Sequence, residues 1–411
     1  MTDPLGQSQV LPYLTGLSRL GHKITLLSAE KKAHFATESS TIQRLCDAAG
    51  IEWQPVRYHK SPPLLSGLYD AAMLERKARQ LHRRRGFEIA HCRGYIPALV
   101  GLRLKRRLGI RFLFDMRGFW ADERAEGRSW PQGNPLFAAV YRFFKSREKA
   151  FIREADAIVS LTKTGRDEIV ARMAPPGQSP SISVIPCCVD FDHFRIFTPE
   201  ERAAARLELQ ISPDRPVLVY VGSLGGNYLL DEMMGFFLAY RRLRPGALFL
   251  FITRENPGAI VSAAEASGVA RNELLIRPAI RDEVPRFIAA ADAGVAFKQA
   301  SFSAKACSPT KLGEMLAVGI PVVANAGVGD VEEQLNDTAA GVVVAAFEEK
   351  SMDAAARELV ALRRSPEHIR EGARRWFNLQ AGVSAYHEIY AALGKRVRRR
   401  APSSPCQPER T

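Results

Sequence analysis

Two facing doubly wound α/β domains are the fold class this sequence predicts, and three observations predict it. At 411 residues the chain exceeds what one hydrophobic core ordinarily organises. Short apolar runs alternate with stretches of helical periodicity, the pattern of parallel strands covered by helices on both faces. The runs form two series, and the pattern lapses between them in CVDFDHFRIFTPEERAAA, residues 188 to 205.

In chain order, the first series is KITLLS (23–28), IEWQPV (51–56), FEIAHC (87–92), FLFDM (112–116), AIVSLT (157–162) and SVIPC (183–187). The second is PVLVYVG (216–222), LFLFIT (248–253), LLIRP (274–278), AGVAFK (293–298), PVVAN (321–325) and GVVV (341–344). Residues 1–195 and 196–375 are therefore expected to be the two domains, with ligands bound beyond the carboxyl ends of the strands. A helical pattern over 367–394 carries Trp376, Phe377, Tyr386, Ile389 and Tyr390, and its part from 376 to 394 is expected to pack back on the first domain. The basic, proline-rich end, 395–411, reads as disordered.

Composition narrows the function classes. The chain is 46% hydrophobic and 25% charged, as soluble globular proteins are, and no run of about 18 apolar residues predicts a membrane span. The opening MTDPLGQSQVL has no basic region followed by an apolar core, so no secretory signal is read. Six cysteines without paired CxxC spacing or a histidine ladder argue against structural zinc and a disulfide framework, and a reducing cytoplasm is the expected compartment. The net charge of +14 sits in the first half, where 31 Lys and Arg face 19 Asp and Glu over residues 1–195. Its clusters, RRR (83–85), RLKRRLGIR (103–111) and YRFFKSREKAFIR (141–153), suit an anionic membrane surface or an acidic acceptor, with a plainly solvated helix face as the alternative. No nucleic-acid motif accompanies them, and no nucleic-acid partner is expected.

SPTKLGEMLAVGIPVV, residues 308–323, carries the sharpest local signal. Ser308 suits an N-cap, Pro309 the first helical position, and Gly319 a C-cap. Thr310 and Lys311 then lie at a helix N-terminus, where free N–H groups and the macrodipole favour a phosphate. Glu314, one turn on, can accept from hydroxyl groups, and the combination suits a sugar nucleotide. The loop of YVGSLGGNY brings the backbone of Gly222, Ser223 and Leu224 towards the same phosphates. In DPLGQSQ, Gly6 permits close approach and Gln7 offers hydrogen bonds, unless this is a plain turn. His91 and Arg93 end a strand, and His22 after a helix reads as packing. In FDMRGFWADE, Arg117 stays charged at neutral pH and cannot be a general base, but it can stabilise a leaving diphosphate. Asp115, Asp122 and Glu123 are candidates to orient it or to contact acceptor hydroxyls, a structural ion pair being the other reading.

Taken in order, DPLGQSQVLPYLTGLSRLGHKITLLS, FDMRGFWADE, VIPCCVDFDHF, YVGSLGG and SPTKLGEMLAVGIPVV resemble the family 4 glycosyltransferases of GT-B fold over nearly the whole chain. The resemblance implies retaining, metal-independent transfer without a cofactor. A nucleotide-diphosphate sugar held by the second domain would be the donor, and a glycan or lipid-linked molecule the acceptor. The implied setting is cell-surface polysaccharide or lipopolysaccharide assembly at the inner face of the membrane. It assigns Glu314 to the ribose hydroxyls. Three departures follow. Arg117 stands where many relatives have histidine, Ala306 where many have a first glutamate, and Ser223 where many have arginine with a lysine further on. Charge on the diphosphate then falls to Lys298, Lys311, Arg254 and Arg117. Relatives also begin with a buried strand ahead of the loop matched by DPLGQSQ, so a misassigned or truncated start is expected, with the first sheet lacking its central strand, a genuine but altered edge being the alternative. A sugar-nucleotide epimerase on the same fold, or a non-catalytic nucleotide-sugar binder, remains the alternative.

Overall fold

The computed structural model of the chain describes residues 1–61, 65–127, 129–173, 180–225 and 227–398. The expected disordered tail lies outside the described residues from position 399 onward. Every apolar run of the sequence becomes a strand. In the first half these are β1 Thr25–Glu30, β2 Glu52–Arg57, β3 Ile89–Arg93, β4 Arg111–Asp115, β5 Ala157–Ser160 and β6 Ile182–Val184. In the second they are β7 Val217–Val221, β8 Leu248–Ile252, β9 Leu274–Arg277, β10 Ala293–Ala296, β11 Val322–Asn325 and β12 Gly341–Val344.

The second sheet is parallel, in the order β12-β11-β10-β7-β8-β9. Alternation along its central strands explains why they read as unbroken apolar runs. Val217, Val219, Val221, Leu248, Leu250 and Ile252 enter one core, while Leu218, Tyr220, Phe249 and Phe251 enter the core on the opposite face. The chain winds outward in both directions from the β7–β10 pair, which makes their carboxyl ends the switch point where a ligand crevice forms.

The first sheet is interrupted. β3-β4-β5-β6 is one parallel piece and β1-β2 another, and no ladder joins β1 to β3. Between the pieces lies a cavity of about 2070 Å³ whose walls include Leu14, Leu26, Leu81, Ile89, Val100 and Leu104. An interruption of the first sheet was expected, and it falls here. The glycine loop expected at DPLGQSQ is instead a short helix, Pro4–Gln9, started by Pro4 behind an extended Asp3. Gly6 is buried within it, and a Cβ there would lie 2.5 Å from the Met1 carbonyl oxygen, so its smallness serves packing.

The final helix, Leu379–Arg398, lies against the first half of the chain: Val383 crowds Gly16, the His22 and His387 rings meet, and the Tyr386 hydroxyl reaches Asp115. Direct contacts also join the two sheets' domains. Asp330 accepts from the Lys163 and Thr164 amides at 2.7 and 3.0 Å, and Glu126 accepts from the Ser301 hydroxyl at 2.7 Å. Ser308, expected as an N-cap, accepts from the Cys187 amide at 3.1 Å instead. Pro309 is the capping position and the helix runs Thr310–Val318. Among the described residues no helix is long and apolar enough to cross a membrane.

Candidate active site

Beyond the β7–β10 switch point the second domain gathers its cations. Gly222 follows β7 with φ 101°, a conformation that glycine adopts without steric cost, and a Cβ there would lie 3.7 Å from the Lys311 Nζ. Lys311 sits on the first turn of the helix Thr310–Val318 and is only 6% exposed. Its ammonium donates to the Tyr220 hydroxyl at 2.5 Å, and that hydroxyl donates to the Ser223 carbonyl at 2.5 Å. The Tyr228 and Tyr220 ring centroids lie 3.4 and 4.0 Å from the same nitrogen. Burial draws the Lys311 pKa well below the usual lysine range; Glu314 opposes this and Lys298 adds to it. Burial raises Glu314, while the charges of Arg281 and Lys311 pull it back. Lys298 follows β10, its backbone held by Asn325 through bonds of 2.8 and 2.9 Å. Its ammonium lies 3.8 Å from Glu123 of the first domain.

Opposite stand the ends of β3 and β4. Asp115 is fully buried and its Oδ2 accepts from the Tyr386 hydroxyl at 3.0 Å, with His91 and Arg93 each at 3.4 Å. The Arg117 Nη1 lies 3.7 Å from Asp115 Oδ1, and its Nη2 reaches the Cys187 Sγ at 3.2 Å. Burial alone would raise Asp115, but Arg117, His91 and Arg93 together hold its carboxyl well below the usual range. Arg117 is correspondingly kept protonated by Asp115 against its own desolvation. Asp115 Oδ1 and Arg117 Nη1 are buried without a hydrogen-bond partner among the described residues. Arg117 also has φ 55°, left-handed backbone that a bulky side chain seldom adopts. Two arginines sharing one carboxylate leave surplus positive charge beside it.

The structure does not gather every candidate. Asp122 accepts from Tyr141 and Lys145, both at 2.8 Å, and so neither orients Arg117 nor stands free for an acceptor. The Arg254 Nε donates to the Ala279 carbonyl at 2.9 Å. Gln7 is partly exposed on the opening helix, and Leu224 packs on the second core. The missing first glutamate has a physical reason. Ala306 is 2% exposed and belongs to the apolar cluster of the first domain, and a Gly165 Cβ would stand 2.9 Å from its methyl group. A carboxylate at 306 would be driven into that cluster. Sequence reasoning missed Arg281, Tyr220, Tyr228 and Cys187; the aromatic residue closing YVGSLGGNY was the available signal for Tyr228.

A glycosyl transferase 4-like domain signature matches residues 7–188. The D-inositol 3-phosphate glycosyltransferase of Segniliparus rotundus is 26% identical over 292 residues, 70% of this chain and 60% of that protein. The chain thus spans about 60% of the length of that relative. A glycosyltransferase from Rickettsia africae superposes with TM-score 0.68 at 15% identity, covering 95% of this chain and 97% of the other. Anabaena HepE, solved with UDP-glucose, gives 0.66 at 12%, covering 90% and 100%. Residues 7–188 thus match a glycosyl transferase 4-like domain, and the chain as a whole has the GT-B fold of the solved glycosyltransferase on which it superposes.

Proposed function

We propose that the chain transfers a sugar from a nucleotide-diphosphate donor to a glycan or lipid-linked acceptor. The observation that carries this is Lys311, Lys298 and Glu314 beyond the switch point of the second sheet, joined to Arg117 through Cys187, whose sulfur meets Arg117 and whose amide donates to Ser308 at the start of the Lys311 segment. A solved neighbour holds UDP-glucose, which supports a nucleotide-sugar ligand. In this reading the diphosphate lies on the helix N-terminus at Thr310 and Lys311, and Glu314 takes the ribose hydroxyls. The bond from the sugar C1 to the diphosphate oxygen breaks as the acceptor oxygen bonds C1 on the same face. The acceptor proton passes to the departing diphosphate, so configuration is retained. Arg117, Arg93 and Lys298 meet the growing negative charge from fixed positions, which is where electrostatic catalysis gains most, and no metal is needed. His91 and Arg93 line the acceptor side.

The acceptor setting rests on charge. Helix Leu65–Arg85 ends in Arg83, Arg84 and Arg85 and exposes Leu68, Tyr69 and Met73, a basic and apolar face suited to an anionic membrane surface. Cell-surface polysaccharide or lipopolysaccharide assembly at the cytoplasmic membrane face fits that surface. A thermal-shift screen against UDP, GDP, ADP and their sugar conjugates tests the donor site. Ligand at about 100 times its Kd adds about 2.7 kcal/mol of stability, and Glu314→Ala is expected to lose that shift. A folded protein that no nucleotide shifts would remove the transferase reading.

A further inference from the structure

Tyr228 closes the glycine-rich loop, and its ring lies over the cation that the donor phosphates need. The centroid is 3.4 Å from the Lys311 Nζ and 5.3 Å from the Lys298 Nζ, so one aromatic face meets two ammonium groups. With Tyr220 on its other side, the Lys311 ammonium is enclosed between two rings. The Tyr220 hydroxyl accepts from the ammonium and gives its own proton to the Ser223 carbonyl, so Tyr220 is satisfied where it stands. Tyr228 differs. Among the described residues its hydroxyl makes no hydrogen bond, and it packs only partly buried against the second core. Its backbone is fixed: Tyr228 bridges Lys298, the Gln299 amide donates to Asn227 at 2.8 Å, and the Leu229 amide donates to Phe297 at 3.3 Å. Motion is thereby confined to rotation about the side-chain bonds.

We propose that Tyr228 is a movable aromatic cover of the Lys311 ammonium, which it holds in place in the free protein and yields to phosphate oxygens when the donor diphosphate arrives. The proposal rests on the donor-site reading given above. Exchange of a π-face for an anion is favourable because the ammonium trades a weak quadrupole for a full charge. The cover keeps water off the lysine meanwhile, consistent with the depression of its pKa by burial. Removing the ring removes a competitor of the ligand, so tighter binding is expected.

Calorimetric titration of UDP, GDP and ADP into wild type, Tyr228→Ala and Tyr228→Phe tests this, together with modification of lysines by trinitrobenzenesulfonate located by mass spectrometry. Tyr228→Ala is expected to bind the accepted nucleotide between about threefold and thirtyfold more tightly, the reach of a cation–π contact. Tyr228→Phe, which keeps the ring face, is expected within twofold of wild type. Lys311 is expected to resist modification in wild type and Tyr228→Phe and to react in Tyr228→Ala. Unchanged or weaker binding in Tyr228→Ala, or equal Lys311 reactivity, overturns the cover while leaving the donor site standing. If no form binds any of the three nucleotides, the donor-site reading fails and the cover with it. Should Tyr228→Ala not fold, Tyr228→Leu, which keeps bulk without a π-face, carries the expectation of tighter nucleotide binding, and unchanged or weaker binding there overturns the cover.

Discussion

Lys311 shows how a single residue departs from what its motif promises. SPTK makes it an exposed-looking cation at a helix start, yet the structure buries it between Tyr220 and Tyr228 with no carboxylate in hydrogen-bond contact among the described residues. A buried cation without a close partner costs stability, and its depressed pKa says so. Lys311→Met, of similar length and apolar, leaves Tyr220 still bonded to Ser223 and is expected to stabilise the fold by about 1 kcal/mol or more while abolishing nucleotide binding. The sign with pH follows. Since the folded pKa lies below the unfolded value of about 10.4, the unfolded state binds the extra proton, and wild type gains stability as pH rises towards that value. The gap between variant and wild type in urea midpoint should therefore narrow from pH 7 to pH 10; a constant gap would mean the lysine is not desolvated. Asp115 and Arg117 were legible as a candidate pair from FDMRG. That His91, Arg93 and Tyr386 converge on the same carboxylate was not, because they arrive from a neighbouring strand and from a helix about 270 residues away.

Elements were legible wherever local pattern and burial agree. All twelve strands appear within two or three residues of the apolar runs, since strands covered on both faces must be apolar throughout. Helix ends were less so. The helix Lys163–Glu168 starts at Thr162, whose hydroxyl accepts from Gly165, but its remaining first-turn amides are satisfied by Asp330 from the other domain. No local rule finds a cap supplied from that far along the chain. Asp330→Ala strands two half-buried amides and is expected to lower stability by about 1–3 kcal/mol, seen as a lower urea midpoint with unchanged slope. No change in midpoint would show that this junction between the domains bears no load.

At the scale of the whole molecule the two halves are unequal. The second domain has a continuous six-stranded sheet, whereas the first is divided between β1 and β3 with a large cavity along the break. Backbone groups on the facing sides of β1 and β3 lack ladder partners, and open edges of this kind protect poorly. Amides of β1 and β3 are expected to exchange hydrogen markedly faster than those of β7 and β8 in a mass-spectrometric time course. Equal protection would mean that the break is closed in solution. The basic surplus of the first half is real at this scale, though part of it is spent internally: Lys145 in the 141–153 cluster pairs with Asp122 and Glu148, and Lys105 and Arg111 pair with Asp156.

By itself the sequence determined the fold class, the strand order along the chain and the segment that carries Lys311 and Glu314, while the interruption of the first sheet was implied only by the family resemblance. These are properties of local periodicity, turn chemistry and motif order, and they survive without knowledge of contacts. Only the tertiary structure decided which groups face one another. It tied Asp122 to Tyr141 and Lys145, enclosed Lys311 between Tyr220 and Tyr228, and showed why alanine stands at 306. The reason is physical: charge partners, desolvation and steric room are set by residues distant in sequence that packing brings together, and a single chain's pattern carries no record of that distance.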